Sequence, residues 1–200
     1  MPVKAVTLDP DYGSTPLTVD EQHDLLPTHL STHQQLNAWE QANIQDALGW
    51  LESQDYSTNT LLEIDFVKRL HKKMFSQTWK WAGKFRTSER NLGVDPAQIA
   101  VKLKDLLDDT KTWIKQVVYD NDEIAVRFHH RLVLIHPFPN GNGRHARMLT
   151  NALLVSLGQP LFTWGINQNC SLAEVRSQYI AALRAADKHN IEPLIKFVKT

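Results

Sequence analysis

Two hundred residues, 42% apolar and 22% charged, describe an ordinary globular chain, long enough for one domain with a real core. The 22 basic and 22 acidic residues cancel, so bulk charge gives no support to a dedicated nucleic-acid binder. An apolar run of about 18 residues, as a membrane span requires, is missing, and the start "MPVKAVTLDPDYGST" lacks the apolar stretch of a secretory signal. The single cysteine, Cys170, cannot form an internal disulfide, which suits a reducing, cytoplasmic setting.

In chain order, residues 1–30 carry four prolines and predict an extended arm with one short helix near 18–25. Ser31 followed by Gln34 predicts a capping box, after which Leu36, Trp39, Ile44, Ala47, Leu48 and Leu51 recur at helical spacing. Thr60 with Glu63 predicts a second box, opening a helix lined by Leu62, Phe66, Leu70 and Met74. The polar segment "TWKWAGKFRTSERNLGV" breaks the period and predicts an irregular loop or short hairpin. Helical spacing returns from Pro96 to Tyr119 through Ile99, Leu103, Leu106, Trp113 and Val117. Asp122 is the expected cap of the next helix, which must stop at His136 because Pro137 disfavours helical geometry in the residue before it. Another helix is expected from Asn142 to Leu157, stopped by Gly158 and Pro160. Ser171 with Glu174 opens a further one, and Pro193 begins a last short helix ending at Phe197 and Val198. The reading is all-α: an arm over 1–30 and one domain over 31–200.

The chemistry concentrates in "HPFPNGNGRHAR", the link between the two central helices. The start of a helix offers unpaired N–H groups and the positive end of its dipole, and Gly141 and Gly143 let a ligand approach that backbone. This combination suits phosphate. Arg144 and Arg147 add fork-shaped donors, and Asn142 is expected to offer its amide to the same oxygens. Arginines at a helix start are unfavourable unless an anion compensates them. His136, eight residues before Arg144, ordinarily titrates close to neutrality, and it is the candidate general base. "GNGRHA" also fits a dinucleotide fingerprint, but a helix precedes it and residues 161–169 hold no acid. His129, His130, His136 and His145 lack zinc-site spacing and a cysteine partner.

At these residues the sequence resembles the Fic (Fic/Doc) family, whose core motif is H-P-F-x-(D/E)-G-N-G-R-x-x-R. His136, Pro137, Phe138, Gly141, Asn142, Gly143, Arg144 and Arg147 match it. "KWAGKFRT" is similar to the family's W-A-G-x-x-R segment, and "YIAALRAADKHNIEPLIKF" to its closing helices. The pattern looks closest to the small bacterial group called mobile mystery protein B. The resemblance implies a Fic-fold helical bundle with a short inserted β-hairpin flap at 84–95 and a core motif at 136–147. It implies transfer of AMP from ATP to a Ser, Thr or Tyr hydroxyl of a target protein. His136 would be the general base, Gly141, Asn142 and Gly143 would hold the α- and β-phosphates, Arg144 the outer phosphates, and Arg147 would support the cluster. The target would pair with the flap by strand addition. A helix-turn-helix partner encoded nearby is implied, with no membrane and no direct nucleic-acid binding.

Two positions depart from the pattern. Asn140 stands where the family carries an acidic Mg²⁺ ligand; an amide oxygen coordinates a hard cation more weakly than a carboxylate, leaving magnesium mostly on the nucleotide. The change also leaves open transfer of phosphate, UMP or phosphocholine, or a catalytically weak, toxin-like binding module. In the family's inhibitory helix, (S/T)-x-x-x-E-(G/N), a glutamate pairs with the motif arginine. Within 31–53, Glu40 is the candidate, although Leu36 and Gln41 do not fit, and the alternative is a solvated helix residue beside Trp39.

Overall fold

The computed structural model describes residues 23–27, 29, 33–166 and 170–200. The regular structure of these residues is helical: α1 (His33–Glu52), α2 (Thr58–Leu61), α3 (Ile64–Phe75), α4 (Ile99–Gln116), α5 (Asn121–Ile135), α6 (Asn142–Ser156), α7 (Leu172–Asp187) and α8 (Glu192–Val198). A 3-10 turn, Pro96–Gln98, leads into α4. The described residues divide into two compact units, those up to Gln159 and those from Pro160 to Thr200. The Ser31–Gln34 box and most of the expected arm lie outside the described residues. The described part, 23–27, lies along 78–80, with a Leu25–Trp79 bridge and bonds from Leu26 N–H to the Thr78 carbonyl and from Lys80 N–H to the Asp24 carbonyl.

The larger unit is organised around α3. Phe66, Val67, Leu70, His71, Met74 and Phe75 cover more than half of its circumference and are all buried, while Lys68, Arg69, Lys72 and Lys73 hold the outer arc. Its inner face meets α1 on one side and Leu103, Leu106, Phe128, Leu132, Leu149 and Leu153 of α4, α5 and α6 on the other. Each fully buried Leu or Phe contributes roughly 1.5–3 kcal/mol. Helices α5 and α6 pack directly against each other, and the loop joining them carries the core motif.

Helix ends explain most of the differences from expectation. Ser57, not Thr60, opens the second helical region: its Oγ accepts from the Thr60 N–H, and α2 lasts a single turn. Glu63 then starts α3 with no side-chain cap. Asp120, not Asp122, caps α5, accepting from the Glu123 N–H at 2.7 Å. The rule that decides both is spacing, since a cap must precede the N–H it receives by two or three residues. Helix α5 ends at Ile135 with His136 in the left-handed region (φ 53°, ψ 59°), as Pro137 requires a stop.

The segment 84–95 is irregular and forms no hairpin. Its two legs give their N–H groups elsewhere: Arg86 N–H donates to the Pro137 carbonyl at 2.9 Å and Val94 N–H to the Ile135 carbonyl at 3.3 Å. Legs that pair with a third segment leave no ladder between themselves.

In the smaller unit, Ser171 and Glu174 form the expected capping box of α7. The Val198 carbonyl at the end of α8 receives both the Thr163 and Trp164 N–H groups, and Tyr179 lies against Phe197.

Candidate functional site

Building from the backbone, α6 begins at Asn142, so the N–H groups of Asn142, Gly143 and Arg144 have no acceptor within the helix. Gly141 precedes them at φ +75°; a Cβ there would lie 2.4 Å from the Phe75 ring, so only glycine brings the loop this close to α3. At Gly143 a Cβ would meet nothing within 4 Å, which leaves the opening turn of the helix accessible from outside. The result is an anion cradle with the dipole of a 15-residue helix behind it.

The loop is held from below by side chains that the sequence reading did not single out. His71 is buried on α3 and stacks on Phe138, ring centroids 3.7 Å apart. Its Nδ1 accepts from the Gly83 N–H at 2.9 Å, which leaves Nε2–H to donate to the Asn140 carbonyl at 3.1 Å. One imidazole thus joins α3, the W-A-G turn and the motif loop. His145 reaches the Val67 carbonyl at 3.0 Å. The signal for His71 is present in the sequence, since it falls on the apolar arc of α3 where a polar residue must find internal partners.

Asn142 uses its amide first to close the turn: its Oδ1 accepts from the Phe138 N–H at 2.9 Å and its Nδ2 donates to the Phe138 carbonyl at 2.8 Å. One Nδ2 hydrogen and the backbone N–H are left for an anion. Asn140 turns its Oδ1 back to the Gly141 N–H at 2.7 Å. No cluster of three or more His, Cys, Asp or Glu suited to a metal exists among the described residues. With its amide oxygen already accepting a hydrogen bond and no carboxylate beside it, the donor set around Asn140 does not fit a protein-held Mg²⁺.

His136 stands at the N-terminal edge of this cradle, 8% exposed. Burial lowers its pKa to about 4; the Arg86 and Arg90 cations act in the same direction, and the Val133 carbonyl opposes them. Nδ1 is the enclosed ring nitrogen, without a hydrogen bond of standard geometry, so Nε2 is the one left to meet a proton. The ring is therefore neutral at pH 7, the form a base requires.

Arg144 and Glu40 meet, although 104 residues separate them. Arg144 Nη1 donates to Glu40 Oε2 at 2.7 Å, and Trp79 Nε1 donates to Glu40 Oε1 at 2.6 Å. Glu40 is 5% exposed, not a solvated helix residue. The guanidinium lies 5.0 Å above the Phe75 ring. Arg147, one turn further along α6, comes close enough to His129 for its charge, after burial, to help lower that ring's pKa to about 3.

Comparison with known proteins places this geometry. Residues 61–154 match the Fic/DOC family. The chain carries a Fic/DOC family domain. Protein adenylyltransferase fic-1 of Caenorhabditis elegans is 30% identical over 145 residues, 68% of this chain and 26% of its own length. Protein adenylyltransferase Fic of Nematostella vectensis is 27% identical over 163 residues, 76% of this chain and 36% of that protein. The chain thus spans about a third or less of these relatives. A solved structure of Fic-1 from C. elegans superposes with a TM-score of 0.67 at 27% identity, covering 90% of this chain and 52% of that one. BepC of Bartonella tribocorum, solved with bound AMPPNP, shares the fold at 18% identity and a TM-score of 0.67 over 90% of this chain and 95% of its own. The Fic/DOC match contains His136, the glycine cradle, Arg144 and Arg147, and all of it lies within the larger unit.

Proposed function

We propose that this chain transfers AMP from ATP to a hydroxyl of a target protein. The observation that carries the reading is a neutral, buried imidazole at the edge of an open helix N-terminus whose first three N–H groups are unspent. His136 Nε2 takes the proton from the target hydroxyl as its oxygen attacks the α-phosphorus. The bond from that phosphorus to the bridging oxygen breaks, and pyrophosphate leaves. Gly141 and Gly143 give the phosphates access, the N–H groups of Asn142, Gly143 and Arg144 hold them, and the arginine side chains balance their charge. Magnesium belongs mostly to the nucleotide in this reading, with Asn140 a neutral neighbour. The named activity of the fic-1 and Fic relatives supports AMP as the group moved.

Glu40 is the inhibitory residue in this account, because it occupies the guanidinium that the outer phosphates need. The target lies along 84–95, whose residues 87–89 and 91–93 are exposed and whose backbone is available for strand addition. Kinship with the small bacterial mobile mystery protein B group, a helix-turn-helix partner and a cytoplasmic setting rest on the sequence pattern alone.

The experiment is incubation of the full chain with labelled ATP and a cell lysate, comparing wild type with His136→Ala. Loss of the base should reduce transfer by ~10²- to 10⁴-fold. Equal labelling by the two proteins would sink the role given to His136. Absence of label with ATP, UTP and CDP-choline alike would favour a Fic-fold binding module.

A further inference from the structure

Arg86 is 3% exposed and lies outside the core motif. Its guanidinium makes three separate main-chain bonds: Nε donates to the His136 carbonyl at 2.7 Å, Nη1 to the Ser88 carbonyl at 3.0 Å, and Nη2 to the Val94 carbonyl. Among the described residues it makes no salt bridge; carbonyl dipoles, with Asp95 and Glu89 at longer range, balance its charge. The carbonyls on either side of His136 are bound to the same segment, Pro137 by Arg86 N–H and Ile135 by Val94 N–H. Three consecutive carbonyls, 135 to 137, therefore all accept from residues 86 and 94. Gly93 closes the junction at φ +112°, where a Cβ would fall 2.5 Å from Arg86 Nη2 and 2.8 Å from His136 Cβ.

A network of this kind does more than fill space. His136 is held in the left-handed backbone region, which costs an L residue energy and so calls for support from its surroundings. The bonds to 135–137 provide that constraint. The same guanidinium spans both legs of the 84–95 segment, reaching Ser88 on one and Val94 on the other. Lysine could not substitute, because a single ammonium cannot aim planar donors at carbonyls lying in three directions.

We propose that Arg86 is a positioning residue: it fixes the backbone of His136 to the segment along which the target is read, so that base and acceptor hydroxyl share one frame. The inference rests on the AMP-transfer reading for its kinetic consequence but not for its structural one. A 1 Å misplacement of a reacting group lowers a rate by ~100-fold. Such an error would appear in turnover and not in nucleotide affinity, since no bond of Arg86 reaches Gly141, Asn142, Gly143 or Arg144.

The test uses Arg86→Lys, which keeps the positive charge, and Gly93→Ala, which keeps the arginine but drives a methyl against its guanidinium and against His136. Three quantities are read on the full chain: transfer of label from ATP, affinity for AMPPNP, and the NMR titration of the His136 ring. Both variants should lose at least ~100-fold in transfer while AMPPNP affinity stays within ~3-fold. The His136 midpoint should rise from about 4 toward the ordinary value of 6.5 as the junction loosens and water reaches the ring, since burial is the chief cause of its lowering. Transfer within ~3-fold of wild type, an unmoved titration, or loss of transfer and AMPPNP affinity in equal proportion would overturn the proposal. If Arg86→Lys does not fold, Arg86→Gln, which keeps a donor toward the main chain, takes its place in the same three readings. If the wild type transfers nothing, the AMP-transfer reading fails, and the His136 titration still decides whether Arg86 holds the base.

Discussion

Glu40 shows how a single side chain can join segments far apart in the chain. Its carboxylate is divided between two donors, Trp79 Nε1 and Arg144 Nη1, one in the aromatic layer and one at the phosphate cradle. Charge-assisted bonds of this length are among the stronger ones available, and Glu40 is nearly solvent-free. Replacing Glu40 by glycine removes both bonds and leaves Arg144 to whatever anion arrives. Self-labelling with ATP should then rise by at least ~5-fold, the lower end of ordinary coupling between sites. Unchanged labelling would reduce Glu40 to a structural ion pair. The pairing could be suspected from sequence but not read there, since Leu36 and Gln41 break the surrounding pattern and 104 residues lie between the partners. Asn142 teaches the opposite lesson. A motif asparagine invites assignment to the ligand, yet both the oxygen and the nitrogen of its amide bond first to Phe138 in the closed turn.

At the scale of elements, what was legible followed from period and punctuation. The apolar arcs of α3, α4, α5 and α6, the stop at His136 and the Ser171 capping box all come from local rules that act within one or two turns. Caps misassigned by three residues at Thr60 and by two at Asp122 reflect competition among adjacent Ser, Thr and Asp side chains, which local spacing alone does not resolve. The expected hairpin failed for a non-local reason: the 84–95 legs bond to 135 and 137, a relation no local pattern encodes. One helix end carries strain. Val117 closes α4 at φ 52° and ψ 47° with 80% of its surface exposed, where a β-branched residue is disfavoured and glycine is the usual choice. Val117→Gly should stabilise the larger unit by about 1 kcal/mol, read as a rise in denaturation midpoint without change in slope. A lower midpoint would mean that Val117 makes compensating contacts.

For the whole molecule, four buried histidines govern behaviour in mild acid. His129, His136 and His145 have pKa values lowered to about 3, 4 and 4, and His71 lies well below 6.5, in each case chiefly through burial. All four are neutral in the native state over the range where the unfolded chain begins to bind protons. The unfolded state therefore takes up more protons as pH falls below about 6.5, and stability present above that value is lost on acidification. Between pH 7.5 and 5.5 each of His129, His136 and His145 should cost about 1.4 kcal/mol, or roughly 4 kcal/mol together, with His71 adding in the same direction. Urea titrations at the two pH values measure this directly. Equal unfolding free energies would show that the rings are solvated or ion-paired. The division into two compact units at 159–160 also belongs to this scale. Gly158 and Pro160 mark the end of α6 in the sequence but do not announce that the packing changes there.

Gly143 has a meaning beyond the open space around it. Most glycines in this chain stand where a side chain would collide or where the backbone turns left-handed, and they are explained by folding alone. Gly143 meets neither condition: it sits in the first turn of a right-handed helix, where alanine would fit and would favour the helix by up to ~1 kcal/mol. Gly49, inside α1, is alike in meeting nothing within 4 Å, but Gly143 stands where the helix turns its unpaired N–H groups outward. What separates the two glycines is not the room around them but what that room gives access to.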